Sequence, residues 1–218
     1  MRSKASGQSH VYLLDSDAAK SLCQYLLLDE LAFALGCPLS DFAVLPQLRF
    51  QLRLNKPDAA LKKLGSQDAV VTAQRLVEAA AEVQVVTDSA NTILELNRPD
   101  IDSGEAILFA AVSQDEDDSL ITGDKRALIA LSEISAIPIV DSLWEKIITL
   151  EEAVYLIVQR SGFDLVSQRV RARPDVNVAL SVIFGRANPN KIEEVLEGLN
   201  SYMNHLQSIS QGKYLLPY

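Results

Sequence analysis

The sequence is poor in the residues that most structural metal and redox sites use. It has two cysteines, Cys23 and Cys37, and two histidines, His10 and His205, among 218 residues. These scattered soft ligands are too few for a structural zinc site, and two thiols provide no disulfide framework. Thiols without such a framework are typical of a reducing compartment, so we expect a cytoplasmic protein.

Long apolar runs and glycine-rich phosphate loops are also missing. No apolar run approaches the roughly 18 residues that a membrane-spanning helix needs, so we expect no membrane partner. The N-terminal stretch MRSKASGQSH has basic residues without an apolar segment behind them, so we expect no secretory signal. The P-loop and GxGxxG patterns are absent, which argues against the common nucleotide-binding motifs. A net charge of −9 argues against broad non-specific nucleic-acid binding, but it is compatible with a local basic groove.

Short runs rich in apolar and β-branched residues alternate with segments of helical spacing in the first two-thirds of the chain. The run before Asp15 is continuously apolar, which is typical of a buried central strand in a parallel sheet. We predict a long helix from Ala18 to Gly36 and a second helix within 39–54. The alternation predicts an α/β fold with a parallel sheet and helices on both faces, hence three layers. The predicted strands are 11–14, 83–86, 119–122 and 137–140.

The last third of the sequence has a different character. From Leu143 onward the spacing of apolar residues is helical, and no strand is predicted. We therefore divide the chain into an α/β domain over 1–142 and an all-helical C-terminal region over 143–218. Apolar faces in that region predict a surface for homo-oligomerisation or for a partner protein.

Four acidic residues occupy comparable places in the predicted elements. Asp15, Asp124 and Asp141 each follow a predicted strand, and Glu105 lies in the first turn of a helix. Because the carboxyl ends of parallel strands meet at one edge of the sheet, these side chains are expected to converge there. Clustered carboxylates repel one another unless a cation lies among them, and Mg²⁺ or Mn²⁺ prefers such oxygen ligands.

Each of these positions also admits a purely structural explanation. Asp15 and Asp124 are placed to cap the helices that follow them, and for Asp141 we favour the cap. Asp17 fits a role at the start of a helix, and Glu105 fits a favourable interaction with the helix dipole. The acidic run QDEDD at 114–118 is typical of a solvated loop.

Three segments, VYLLDSD, DSGEAILFAAV and SLITGDKRAL, together resemble the PIN-domain family of metal-dependent ribonucleases. The resemblance covers about 10–142. It implies a PIN-like domain that hydrolyses RNA phosphodiesters with Mg²⁺ or Mn²⁺. It further implies that Asp15, Glu105 and Asp124 are catalytic metal ligands and that Asp17 supports the metal.

One position departs from the family pattern. PIN nucleases carry a further glutamate on a helix in the first half, and the best match here places Gln47 there, with Asp41 as a weaker substitute. A glutamine can accept a hydrogen bond but brings no charge. The alternative is therefore a catalytically inactive PIN-like scaffold that serves as a protein- or RNA-binding regulatory module.

Basic residues near these motifs suggest a surface for RNA. Arg49, Arg53 and Lys56 are spaced to share one side of a helix, and Lys125 and Arg126 follow Asp124 directly. The alternative to RNA contact is that these residues simply form a solvated helix face. A further set in the C-terminal region consists of Arg169, Arg171 and Arg173.

Overall fold

The centre of the fold is a sheet of five parallel strands. The computed structural model describes residues 10–84, 98–134 and 137–217. The strands lie in the order β3-β2-β1-β4-β5, and every neighbouring pair is parallel. They are β1 (Tyr12–Leu14), β2 (Phe42–Val44), β3 (Ala81–Glu82), β4 (Ser119–Thr122) and β5 (Ile147–Thr149).

Twelve α-helices lie in the described part of the chain. The first five are α1 (Ser16–Gln24), α2 (Leu28–Leu35), α3 (Leu48–Gln51), α4 (Pro57–Leu64) and α5 (Gln67–Ala79). The middle three are α6 (Ser103–Val112), α7 (Lys125–Ser132) and α8 (Pro138–Leu143). The last four are α9 (Leu150–Ser161), α10 (Phe163–Ala172), α11 (Val178–Ile183) and α12 (Ile192–Ile209). None of these helices is long and apolar enough to cross a bilayer.

Two hydrophobic cores cover the two faces of the sheet. Alternate residues of a strand point to opposite faces, so Leu14 and Ile121 enter one core while Leu13 and Leu120 enter the other. The first core also contains residues of α1, α2, α5 and α9, and the second contains residues of α6 and α7. Each fully buried Leu or Ile contributes about 1.5–3 kcal/mol. The predicted α/β fold with a parallel sheet between helical layers is confirmed.

The predicted strand over 137–140 is wrong. This stretch begins α8, with Pro138 in its first turn, where the missing N–H is not needed and the fixed φ suits a helix. The fifth strand comes later, as the β-branched run Ile147–Thr149 beside β4. The prediction of an all-helical region after residue 142 is therefore also wrong, because this strand forms one edge of the sheet.

Two predicted helices are interrupted. The helix predicted from Ala18 to Gly36 is broken between α1 and α2, where Leu26 has a φ of 58°. In the helix predicted within 39–54, the buried run Phe42–Val44 is strand β2, and only α3 is α-helical. Apolar residues buried on both faces of a strand are hard to distinguish from a helix by spacing alone.

The strand predicted over 83–86 begins earlier in the structure. β3 covers Ala81–Glu82, and the N–H of Val83 donates to the carbonyl of Val44 just beyond it. Residues 85 and 86, and the helix predicted over 91–96, lie outside the described residues.

The chain after residue 142 is joined to the chain before it by packing and by arginines. Side chains of α9, α11 and α12 belong to the same core as Leu14. Arg169 donates to the carbonyl of Leu26 and forms an ion pair with Glu30 at 2.5 Å. Arg173 donates to the carbonyl of Leu64 at 3.0 Å. The division at residue 142 remains a prediction, and any cut there would divide a shared core.

Candidate functional site

A cleft of about 280 Å³ opens at the carboxyl edge of the sheet, beyond the ends of β1 and β4. Its position follows from the parallel topology, because Asp15 comes directly after β1 and Asp124 comes two residues after β4. The cleft combines carboxylates with basic side chains. The acidic residues along it are Asp15, Asp17, Asp102, Glu105 and Asp124, and the basic ones are Lys20, Lys63 and Arg126.

Asp15 is the most buried acid of the cleft, with 8% of its surface exposed. Its main-chain N–H donates to the carbonyl of Ile121 at 3.0 Å, which fixes it to the neighbouring strand. Its Oδ2 is buried and has no hydrogen-bond partner among the described residues. Burial, followed by the charge of Asp17, raises the pKa of Asp15 to about 6, although nearby backbone N–H groups oppose the rise.

Glu105 and Asp102 form a reciprocal cap at the start of α6. The N–H of Asp102 donates to Glu105 Oε2 at 2.7 Å, and the N–H of Glu105 donates to Asp102 Oδ1 at 2.8 Å. Sequence reasoning missed Asp102, although an acid three residues before a glutamate at a helix start is the signal for such a capping box. The cap holds Glu105 at the rim of the cleft.

The carboxyl groups of Glu105 and Asp124 are hydrogen-bonded to each other, which requires a proton on one of them. Burial and the neighbouring Asp124 raise the pKa of Glu105 to about 8, so the proton resides there. For Asp124, burial alone would raise the pKa. The hydrogen bond from Glu105 and those from the N–H groups of α7 outweigh burial and lower it. The pair thus avoids placing two bare charges side by side.

Asp124 also caps α7, which confirms the structural explanation offered for it, while its role as a metal ligand stays a prediction. Its Oδ1 accepts the N–H groups of Arg126 at 2.8 Å and Ala127 at 3.1 Å. Arg126 adds an ion pair at 3.5 Å, and its own side chain is 83% exposed. Oδ1 of Asp124 therefore serves the cap, and Oδ2 is the oxygen that pairs with Arg126.

Two other acidic positions lie away from this site. Asp141 is inside α8 and forms an ion pair with Lys213 at 2.5 Å, so its predicted place after a strand is wrong. The loop at 114–118 precedes β4 and lies at the opposite edge of the sheet, where Asp118 Oδ1 accepts the N–H of Val11 at 3.1 Å. These acids do not enter the cleft.

The basic residues predicted to contact RNA fall into two groups. Lys125 pairs with the buried Glu151 at 3.0 Å and lies 3.6 Å above the centre of the Tyr202 ring, so it supports packing. Arg49 and Arg53 are exposed on and just after α3. Lys20, which sequence reasoning missed, and Lys63 reach the cleft because α1 and α4 pack together.

Gln47 lies beside the start of α6, as a residue of the acidic site would. Its Nε2 is 3.9 Å from the place a Cβ on Gly104 would occupy, and Leu45 and Asp102 approach that place within 3.2–3.3 Å. A larger residue at 104 would push against these neighbours. Whether Gln47 replaces a family glutamate stays a prediction.

In the described ranges, no three His, Cys, Asp or Glu side chains are arranged as a ready metal site. The donor set nevertheless suits a hard divalent cation, because Asp15 has an unpartnered oxygen and Glu105 and Asp124 share a displaceable proton in the same cleft. Comparisons of this chain with known protein families, with curated proteins and with solved structures found no match.

Proposed function

We propose that the protein is a PIN-like ribonuclease that hydrolyses RNA phosphodiesters with Mg²⁺ or Mn²⁺ at the carboxylate cleft. The observation that carries the proposal is the convergence of Asp15, Glu105 and Asp124 on one cleft from three distant parts of the sequence. Asp15 follows β1, Glu105 lies in the first turn of α6 and Asp124 follows β4. The three motifs that resemble PIN domains occur in the same order along the sequence.

The cation would be held by Asp15, Glu105 and Asp124, with Asp17 at the exposed side. When bound, it would lower the pKa of a water molecule and offset negative charge on the phosphodiester. The protein contributes by burying the carboxylate of Asp15 and leaving its Oδ2 without a hydrogen-bond partner among the described residues. The proton on Glu105 would have to leave when a cation binds, because ligand carboxylates must be ionised.

The basic side chains of the cleft supply charge for the RNA backbone. Lys20, Lys63 and Arg126 line the same space as the acids, on α1, α4 and α7. Ammonium and guanidinium groups attract phosphate oxygens and orient the strand, whereas the acids alone would repel it. The mixture of signs favours a phosphodiester substrate over a purely cationic ligand.

The proposal is tested with the full chain, Mn²⁺ and short single-stranded RNA. Mn²⁺ is expected to raise the melting temperature and to support cleavage. Asp15→Asn is expected to abolish both effects while the far-UV spectrum stays native. Asp117→Asn, an exposed carboxylate at the opposite edge of the sheet, is the matched control and is expected to behave as wild type. Cleavage by Asp15→Asn at the wild-type rate would contradict the proposal.

A second candidate is an inactive PIN-like scaffold that binds RNA or a protein. It is favoured by Gln47, which places an uncharged amide beside Gly104 at the start of α6, and by the engagement of Glu105 and Asp124 in helix caps. Under this alternative, Mn²⁺ leaves the melting temperature unchanged and no cleavage occurs.

A further inference from the structure

A segment with basic side chains and an exposed aromatic ring borders the carboxylate cleft. It runs over 49–56, from α3 to the residue before α4. Gln51 and Leu52, in its middle, line the cleft itself. The segment is therefore placed where a strand entering the cleft would pass.

The charge of the segment is opposite to that of the whole molecule. Between Asp41 and Asp58 the sequence contains three basic residues, Arg49, Arg53 and Lys56, and no acidic residue, although the net charge of the chain is −9. In the described part of the chain, none of the three forms an ion pair. These charges are therefore available to an anionic ligand.

Phe50 places an apolar ring among these charges. Its surface is 63% exposed, and Arg49 precedes it directly in α3. A single exposed apolar residue needs no explanation by itself. An exposed ring flanked by free arginines, however, offers a face for stacking a base and charges for the phosphates on either side.

The backbone at Arg53 has a conformation that is more common for glycine. Its φ is 61°, in the left-handed region, and the N–H of Leu54 donates back to the carbonyl of Arg49 at 3.0 Å. Glycine occupies the comparable turns after α2 and α4, at Gly36 and Gly65. A side chain here is strained where glycine is not, as it also is at Leu26 and Gln211, and the turn fixes where the Arg53 side chain leaves the backbone.

We propose that segment 49–56 binds single-stranded nucleic acid, with a base stacked on Phe50 and phosphates on Arg49, Arg53 and Lys56. Delivery of that strand to a cutting centre rests on the proposed function, whereas the binding does not. A duplex keeps its bases paired and stacked, so it leaves the ring unused. An acidic peptide would use the basic groups and likewise leave the ring unused.

The ring is tested by fluorescence anisotropy with the full chain, a labelled short oligouridylate and EDTA, so that binding is measured without cleavage. Phe50→Ala is expected to weaken binding by at least about fivefold, and Phe50→Trp to retain it. Phe33→Ala is the matched control, because Phe33 is 69% exposed on α2, near Asp29 and Glu30. It is expected to leave affinity unchanged.

The arginine is tested in the same assay over a range of salt concentrations. Arg53→Gly is expected to weaken binding and to reduce the slope of log affinity against log salt by about 0.7, one single-strand phosphate contact. Because glycine relieves the strained backbone, the melting temperature is expected not to fall. Gln211→Gly, at an exposed residue with a φ of 55°, gives the same relief and is expected to leave binding unchanged.

The proposal is overturned if the wild type does not bind the oligouridylate. It is also overturned if Phe50→Ala and Phe33→Ala bind alike, or if duplex RNA or polyglutamate of equal length binds as well. If binding depends on Phe50 but the protein shows no Mn²⁺-dependent cleavage, the result supports binding at this segment and contradicts the proposed nuclease function. If the protein cleaves RNA with Mn²⁺ but its Phe50→Ala and Arg53→Gly variants keep wild-type affinity, the result supports the nuclease and contradicts binding at this segment. A matching single-stranded oligodeoxynucleotide shows whether the strand is RNA or DNA, since the shared chemistry lies in bases and phosphates.

Discussion

At the scale of single residues, Asp15 combines burial with a free oxygen. A carboxylate in this position costs free energy in the absence of a cation, because its charge is removed from water without a full set of partners. The backbone keeps the residue in this place, because Asp15 joins β1 to α1 and its N–H donates to the carbonyl of Ile121. A group that is unfavourable for folding and central to a cleft is a candidate for function.

The pKa of Asp15 predicts how stability depends on pH. Folding raises it from 3.8 to about 6, so the folded state holds the proton more tightly than the unfolded state. Stability from this group is fully present below the unfolded pKa and decreases as pH rises towards 6, by at most about 3 kcal/mol. Asp15→Asn is therefore expected to raise the free energy of unfolding in EDTA by about 1–3 kcal/mol near pH 8 and little near pH 4.

Urea unfolding at the two pH values measures this effect. Asp117→Asn is again the control and should show no such pH-dependent gain. A variant at Asp15 that is less stable than wild type near pH 8 would show that the carboxylate has a structural partner.

At the scale of elements, Asp124 illustrates how a helix start serves two purposes. Its side chain caps α7 and also reaches Glu105 across the cleft. The two roles explain why sequence reasoning left its assignment open. A cap needs only an acceptor oxygen, whereas a metal ligand of this kind needs negative charge.

Two substitutions of Asp124 separate these roles. Asp124→Asn keeps an acceptor for the N–H groups of α7, so stability is expected to stay near wild type while Mn²⁺-dependent cleavage is lost. Asp124→Ala is expected to lose cleavage and also about 1 kcal/mol of stability, because the cap is gone. Thermal melts and RNA cleavage assays report on the two roles, and an active Asp124→Asn would show that only the cap matters.

The elements also show which parts of the fold are readable from sequence. β1 and β4 were predictable, because each is a short run of apolar or β-branched residues that stops at or just before an acidic residue. β2 and β5 were not, since Phe42–Val44 and Ile147–Thr149 merge with neighbouring apolar residues of helical spacing. Asp15 and Asp124 followed from strand ends and Glu105 from a helix start, whereas the places of Lys20 and Lys63 depend on how two helices pack.

At the scale of the whole molecule, the C-terminal region supports the part that carries the cleft. Arg169 and Arg173 donate to carbonyls at the ends of α1 and α4, and Arg171 donates to the carbonyl of Gly185. The predicted C-terminal basic set is therefore engaged in holding helices together. Such donors satisfy carbonyl groups that would otherwise lack partners near helix ends.

The shared core predicts a single unfolding transition. Arg169→Ala is expected to lower the free energy of unfolding by about 1.5–3 kcal/mol, because charged hydrogen bonds to Leu26 and Glu30 are lost. The sole tryptophan, Trp144, is buried near the residue 142 boundary, so its fluorescence reports on the junction. Fluorescence and far-UV circular dichroism should follow one coincident curve in urea.

Arg160→Ala, at the exposed end of α9, is the control and should change stability by less than about 0.5 kcal/mol. Two separate transitions would establish independent domains divided near residue 142, provided that Arg169→Ala shifts only the transition of the C-terminal part.

The position of β5 has a consequence for the order in which the protein is made. Every acid of the cleft has left the ribosome before Thr149 emerges, but the strand that flanks β4 has not. A nascent chain therefore carries all the acidic groups on an incomplete sheet with an open edge, which is a template for unwanted pairing. The sheet beside the cleft is therefore complete only after synthesis has passed Thr149, well beyond Asp124, the last acid of the cleft.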